Sequence, residues 1–216
     1  MLIRQIMTQK PITIRPNISV SDALDLMHEK KVHRLLVVDR GGKLVGIVSE
    51  ADLLYASPSP VPSLNVWEIH SLLAKLTVEK VMTREVISVS EDTPIEEAAQ
   101  TMLEKNIGGL PVLRGKALVG IVTETDLFKV FVSMLGGYRP GVRVSASISG
   151  AKGTFAKICT AIFTAGGDIV GLGFDDLSKA PEEGWKMIIK VQDMEKDKLE
   201  AVLKPVVRRI EDVRKM

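Results

Sequence analysis

A duplicated module constrains the fold of this chain more than any other feature. The segment I-M-T-Q-K-P-I-T-I that begins at Ile6 aligns with V-M-T-R-E-V-I-S-V at Val81, an offset of 75 residues. After a one-residue gap, L-V-G-I-V-S-E-A-D-L-L at Leu44 aligns with L-V-G-I-V-T-E-T-D-L-F at Leu118, an offset of 74 residues. Because self-similarity at a fixed spacing marks a reused supersecondary unit, the first part of the chain is predicted to contain two copies of one fold.

Both copies have the same order of predicted elements, β-α-β-β-α. Short β-branched runs predict the strands, at residues 11–14, 35–38 and 44–48 in the first copy and 86–89, 110–113 and 118–122 in the second. In the second copy Thr93 is the predicted N-cap of the first helix, with Pro94 in its first turn and Glu96 completing a capping box. Two units of this size cannot bury all their apolar faces separately, so we expect them to pack as a pseudo-symmetric pair.

Composition and charge exclude several classes of protein. Apolar residues make up 45% and charged residues 26% of the 216 residues, which is typical of globular domains. The net charge is only +2, and the basic residues are not concentrated in one part of the chain, so nucleic acid is not an expected partner. Cys159 is the only cysteine, which excludes an intrachain disulfide and a cysteine-cluster zinc site. We predict no membrane span, no signal peptide and a cytoplasmic location.

The repeated pattern resembles a known family. The order M-T, a strand, a helix carrying A-x-x-x-M, H-R-L-L-V-V-D and then L-V-G-I-V-S-E-A-D-L-L resembles the CBS motif, named after cystathionine β-synthase. Two tandem copies resemble a CBS pair, or Bateman module. We therefore expect a first CBS repeat at 1–56, a Pro-rich linker and helix at 57–77, and a second CBS repeat at 78–132.

A polar pair follows the third predicted strand of each copy, Ser49-x-x-Asp52 and Thr123-x-x-Asp126. This spacing is typical of a capping box, which needs no ligand. The same geometry suits a nucleotide, because helix N-termini offer N–H groups to phosphate and a carboxylate can accept ribose hydroxyls. The CBS resemblance implies the second interpretation, with aspartate at the ribose and serine or threonine beside the phosphates.

His33 and Arg34 extend this interpretation. H-R-L-L-V-V-D resembles the segment that directs histidine and arginine to phosphates in the AMP-sensing γ subunits of AMP-activated kinase, whereas the second copy carries Gly108 and Gly109 there. The two clefts are therefore not expected to be equivalent. The full set of ligand-binding residues that the resemblance implies is Thr8, Ile12, Thr13, Ile14, His33, Arg34, Ser49, Asp52, Thr83, Ile87, Ser88, Gly109, Leu110, Pro111, Thr123 and Asp126.

The C-terminal part has a different pattern, predicted as β-α-β-β-α-β. Its strands are expected at 142–149, 168–174, 185–192 and 207–213, with helices at 154–165 and 193–203. This order, and G-x-x-G leading into F-x-x-I-C-x-x-I-F-x-x-G-G-D-I, resembles the ferredoxin-like ACT domain. We expect a linker at 133–141 and this domain at 142–216.

The ACT resemblance implies a second ligand site, for an amino acid, between the first turn and a neighbouring subunit. Its matching positions are Gly150, Ala151, Lys152, Gly153, Asp168 and Ile169. The alternative is that these glycines serve only tight turns, and that the domain only dimerises.

The whole arrangement, an α+β fold, resembles acetoin-utilisation B-type proteins with a CBS pair and an ACT domain. We predict a non-catalytic, homodimeric regulatory sensor with no catalytic residues, no metal site and no required cofactor. Its effector would be an adenosine-containing ligand, namely AMP, ADP, ATP, S-adenosylmethionine or NAD, and its regulated partner is unknown. Two alternatives stay open: a ligand-free dimerisation scaffold, and an enzyme that processes nucleotides with the Ser/Thr–Asp pairs.

Overall fold

The computed structural model describes residues 1–56, 76–175 and 184–216. They divide into two compact units, Met1–Leu127 and Phe128–Met216. Most of the predicted linker and helix at 57–77, and residues 176–183 between two predicted strands, lie outside the described residues. No helix in the described part of the chain is both long enough and apolar enough to span a membrane.

The first repeat has the predicted order of elements. Its N-terminal helix begins after Ser19, whose hydroxyl accepts a hydrogen bond from the Asp22 N–H at 3.0 Å, and it ends at Lys31 in the left-handed conformation. The elements are β1 Thr8–Gln9, β2 Thr13–Ile14, α1 Val20–Lys30, β3 Arg34–Val38, β4 Leu44–Ser49 and α2 Glu50–Tyr55. In its sheet, β2 pairs parallel to β3 and β3 pairs antiparallel to β4.

The second repeat follows the same order, with β5 Val89–Ser90, α3 Ile95–Lys105, β6 Gly109–Arg114, β7 Ala117–Thr123 and α4 Glu124–Met134. The predicted strand at 86–89 is wrong in its start, because the Val86 N–H bonds locally to the Arg84 carbonyl and only Val89 and Ser90 pair with β6. In the first repeat the strand likewise begins only at Thr13.

The predicted N-cap at Thr93 is also wrong. Pro94 is the N-cap of α3, and its side chain makes no capping hydrogen bond. The physical reason lies in the backbone of Thr93, whose N–H donates to the Ser90 carbonyl and whose carbonyl accepts from the Ile3 N–H at 2.9 Å. These bonds hold Thr93 in the preceding loop, so the helix begins after Pro94.

The opening segment of each repeat pairs with the other repeat, which the sequence pattern did not reveal. Thr8 of β1 pairs with Ile121 of β7, and Thr83 forms the equivalent bridge with Ile47 of β4. Ile3 is fully buried in the core of the second repeat, and Val78 is fully buried in the core of the first. Burying a side chain of this size contributes about 1.5–3 kcal/mol. The two repeats therefore depend on each other for their cores.

The C-terminal unit has the predicted order β-α-β-β-α-β. Its elements are β8 Val142–Ile148, α5 Thr154–Thr164, β9 Asp168–Asp175, β10 Trp185–Gln192, α6 Lys196–Leu203 and β11 Arg209–Lys215. The strands form one antiparallel sheet in the order β11-β8-β10-β9.

The starts of two elements in this unit differ from prediction, and several ends differ by one or two residues. The second helix begins at Lys196 rather than at 193, because Asp193 has a positive φ of 59° that a right-handed helix cannot contain. The last strand begins at Arg209 rather than at 207, because the Val207 N–H still bonds to the Leu203 carbonyl at 3.0 Å.

Candidate functional site

A cavity of about 290 Å³ between the two repeats of the first unit is the candidate site, and we call it the first cleft. It brings together predicted residues from both repeats, with Arg34, Ser49 and Asp52 from the first and Thr83, Ile87 and Gly109 from the second. Residues that the prediction missed complete its wall: Ile47, Glu85, Val86, Asn106, Ile107 and Gly108. The stretch 106–109 could have been found, because it aligns with 31–34 of the first repeat.

Asp52 is fixed in the wall of the first cleft by the helix cap. The N–H and the hydroxyl of Ser49 both donate to Oδ2 of Asp52, at 2.8 and 2.7 Å, and the Asp52 N–H donates to Oγ of Ser49 at 3.2 Å. The capping-box interpretation is therefore confirmed for this pair. The same bonds hold a half-buried carboxylate at the cavity, as ribose binding would require.

Arg34 brings a cation to the first cleft. Its side chain is half-buried, and among the described residues its guanidinium makes no hydrogen bond or ion pair. A Cβ atom on Gly108 would collide with this guanidinium, and one on Gly109 would lie 3.4 Å from Cδ of Arg34. The two glycines of the second repeat thus leave the space that Arg34 occupies.

The side chain of His33 contacts Glu50 and is not among those that line the first cleft. Its Nδ1 is 2.7 Å from Oε2 of Glu50, and Nε2 of His28 is 3.2 Å from Oε1 of the same carboxylate. Hydrogen bonds from His33 and then His28 lower the pKa of Glu50 below its usual value, against a smaller opposing effect of desolvation. Among the described residues, no group of three histidine, cysteine, aspartate or glutamate side chains could hold a metal ion.

The positions equivalent to those that line the first cleft, at offsets of 75 and 74 residues, include Thr8, Lys10, Ile12, Lys31, His33, Thr123 and Asp126, and we call them the second cleft. The Thr123 N–H and hydroxyl donate to Oδ2 of Asp126 at 3.0 and 2.7 Å, as Ser49 does to Asp52. The pairing of Thr8 with Ile121 repeats that of Thr83 with Ile47.

The other predicted CBS residues lie elsewhere. Thr13 and Ile14 line a separate depression with Arg15 and Asn17. Leu110 and Pro111 are buried within β6, and Ser88 is half-buried just before β5.

In the C-terminal unit, the structure does not bring the two predicted ligand segments together within one chain. The loop of Gly150, Ala151, Lys152 and Gly153 precedes α5, whereas Asp168 and Ile169 follow it. These segments lie at opposite ends of an 11-residue helix, which is about 16 Å long. Gly153 has a φ of 84° and Gly150 lies against the Trp185 indole, so both glycines have structural roles.

Comparison with known proteins places the repeats in a family. The family model for the CBS domain matches residues 3–59 and 78–133, just over half of the chain. A CBS domain-containing protein of Dictyostelium discoideum is 34% identical over 135 residues, which cover 62% of this chain and 93% of that protein. The L-aspartate semialdehyde sulfurtransferase of Methanocaldococcus jannaschii is 35% identical over 133 residues, 60% of this chain but only 23% of that enzyme.

Solved structures show the same similarity. The CBS domain pair of protein MJ0100, in complex with 5′-methylthioadenosine and S-adenosyl-L-methionine, is 34% identical with a TM-score of 0.52, covering 64% of this chain and 98% of that one. A Vibrio cholerae protein named for acetoin utilization, AcuB, is 32% identical with a TM-score of 0.54, covering 63% and 93% of the two chains. CBSX2 in complex with AMP is 33% identical with a TM-score of 0.50, covering 61% and 96%. This chain therefore belongs to the CBS-domain family.

Proposed function

We propose that this protein is a non-catalytic regulatory module whose CBS pair binds an adenosine-containing ligand. One observation carries the proposal: the half-buried guanidinium of Arg34 has no partner among the described residues, and it lines the same cavity as the fixed carboxylate of Asp52. A guanidinium that lines a cavity without an ion-pair partner is available to bind an anionic group of a ligand. A nucleotide supplies that anion and also supplies hydroxyls for the carboxylate.

The first cleft offers a matching partner for each part of such a ligand. Asp52 accepts the ribose hydroxyls, and the planar fork of Arg34 binds a phosphate. Val86, Ile87 and Ile107 give an apolar wall for the base. Relatives that bind 5′-methylthioadenosine, S-adenosyl-L-methionine or AMP support this class of ligand, to which ADP, ATP and NAD also belong.

The C-terminal unit has a separate role in this proposal. We propose that it is an ACT-like domain that joins two copies of the chain, with an amino acid as a ligand of the interface between them. The antiparallel sheet β11-β8-β10-β9 and the β-α-β-β-α-β order support this assignment. Ligand binding would then change subunit packing and so be reported to a regulated protein.

Calorimetric titration tests the proposal. The full-length protein is titrated with AMP, ADP, ATP, NAD, S-adenosylmethionine and 5′-methylthioadenosine, beside the variants Asp52→Ala and Asp22→Ala. Asp22 also lies in the first turn of a helix that follows a serine cap, but it is outside the clefts, so it is the matched control.

We expect at least one ligand to bind the parent and the Asp22→Ala control alike. In Asp52→Ala its affinity should fall about tenfold to a hundredfold, because a charged acceptor is worth about 1.5–3 kcal/mol. A parent that binds none of the ligands would favour the scaffold alternative, and turnover of a bound nucleotide would favour the enzyme.

A further inference from the structure

We infer that the two clefts select differently charged ligands, the second cleft taking a nucleoside polyphosphate and the first taking an adenosine ligand with at most one phosphate. This inference rests on the proposed function and specifies the ligand of each cleft. It is based on equivalent positions of the two repeats, which carry residues of different charge.

The positions compared are equivalent in the aligned repeats, and the C-cap pair also shares its backbone conformation, whereas Lys10 has a φ of 52° and Glu85 does not have a positive φ. Lys31 and Asn106 are the equivalent C-caps of α1 and α3, and both are in the left-handed conformation, with φ values of 54° and 51°. Lys10 lies two residues after Thr8, and Glu85 lies two residues after Thr83. These are the threonines that pair with the other repeat. All four residues are exposed, so their charges face solvent and any incoming ligand.

The sum of the charges is negative in the first cleft and positive in the second. The first cleft combines the carboxylates of Asp52 and Glu85 with one guanidinium, that of Arg34. The positions of the second cleft carry the carboxylate of Asp126, two lysines, Lys10 and Lys31, and the imidazole of His33.

The glutamates beside the clefts do not change this comparison. Each repeat has one at the same place, because the Glu50 N–H donates to the His33 carbonyl and the Glu124 N–H donates to the Gly108 carbonyl. The difference in net charge between the two clefts therefore comes from Lys10 and Lys31 in the first repeat and from Glu85 and the neutral Asn106 in the second.

Charge then decides which ligand each cleft accepts. A polyphosphate carries several negative charges, which attract lysines and are repelled by an extra carboxylate. Arg34 alone can pair with a single phosphate.

The experiment uses two probes, ATP and uncharged 5′-methylthioadenosine, titrated calorimetrically into the full-length parent, Asp52→Ala and Asp126→Ala. The two variants assign each probe to a cleft. We expect Asp126→Ala to weaken ATP at least tenfold and leave 5′-methylthioadenosine unchanged, and Asp52→Ala to do the reverse. Loss of ATP in Asp52→Ala alone would overturn the assignment.

A second pair of variants tests the charges themselves. Lys31→Asn gives the first repeat the residue of the second, in a backbone conformation that asparagine accepts. It should weaken ATP about fivefold and leave 5′-methylthioadenosine unchanged, since an exposed charge contact is worth at most about that factor. Lys30→Asn is the control, because it makes the same change of charge at a lysine that pairs with Glu29.

The outcomes separate this inference from the proposed function. Equal preference of both clefts for the two probes, or an equal loss of ATP in Lys31→Asn and Lys30→Asn, would overturn the inference while the adenosine-binding proposal stood. A parent that binds neither probe would overturn the inference, and a parent that also binds none of the other four ligands of the panel would overturn the proposed function as well.

Discussion

At the scale of single residues, the placement of Arg34 depends on what the second repeat lacks. Its guanidinium lies where a side chain at Gly108 would otherwise stand, and Oε2 of Glu124 would be only 2.7 Å from a Cβ at the same position. The sequence showed that His33 and Arg34 align with Gly108 and Gly109 of the second repeat. It could not show that the glycines make room for the arginine, because that contact joins residues 74 positions apart.

Arg34→Ala should weaken AMP about tenfold to a hundredfold while changing adenosine by less than about twofold. The reason is that the variant removes a phosphate partner and leaves the ribose and base contacts intact. Titration calorimetry with both ligands measures this difference. Arg40→Ala, an exposed arginine in the turn between β3 and β4, is the control. Equal losses for AMP and adenosine would mean that Arg34 acts through packing.

Glu50 makes the stability of the first repeat sensitive to acid. Its pKa is lowered in the folded protein by hydrogen bonds from His33 and His28, so its ionised form favours folding above the unfolded pKa of about 4.5. That contribution is lost as the pH falls through the lower, folded value. Urea unfolding of the parent and Glu50→Gln should differ most above about pH 5, and the difference should shrink as the pH falls below 4.5. A difference that grows towards pH 3 would contradict this account.

At the scale of elements, local sequence signals were informative where local bonds decide the structure. The Ser49–Asp52 capping box follows from short-range chemistry. The Thr93 cap failed because Ile3, which is distant in sequence, takes the Thr93 carbonyl. Exchange of the opening segments gives no periodic signal, since each segment is short and its partner strand lies in the other repeat.

Two equivalent glycines allow this exchange. A Cβ on Gly120 would lie 2.9 Å from the Thr8 carbonyl oxygen and 2.7 Å from Sδ of Met7, and one on Gly46 would meet Met82 and Thr83 in the same way. Gly120→Ala should therefore lower the free energy of unfolding by about 1–3 kcal/mol, the usual cost of overpacking. Denaturant unfolding measures it, with Gly41→Ala in an exposed turn as the control. An effect no larger than that of the control would show that the opening segment moves to accommodate the added methyl group at little cost in stability.

At the scale of the whole molecule, the order of elements in both units could be predicted because repeats and hydrophobic periodicity report it directly. Which predicted residues share one cavity could not, because that depends on how the repeats exchange their opening segments. Thr83 lines the same cavity as Asp52, and its bridge with Ile47 brings it to the first repeat. The predicted ACT positions illustrate the same limit, since α5 separates Gly150 from Asp168.

We predict a homodimer, because exposed apolar residues on the helix that ends the second repeat need a partner in solution. Phe128 is 67% exposed, Phe131 60% and Met134 59%, and their helical spacing places them on one side of α4. Light scattering at low micromolar concentration should give twice the 23.6 kDa of one chain. Phe131→Glu should shift the mass towards the monomer, and a parent that already has the monomer mass would contradict the prediction.

The central claim is that adenosine ligands bind the cleft formed by Asp52 and Arg34. A crystal structure of the full-length protein with AMP tests it most directly. The claim predicts ribose hydroxyls within hydrogen-bonding distance of the Asp52 carboxylate and the phosphate paired with the Arg34 guanidinium. AMP bound elsewhere on the protein, with the first cleft empty, would contradict it.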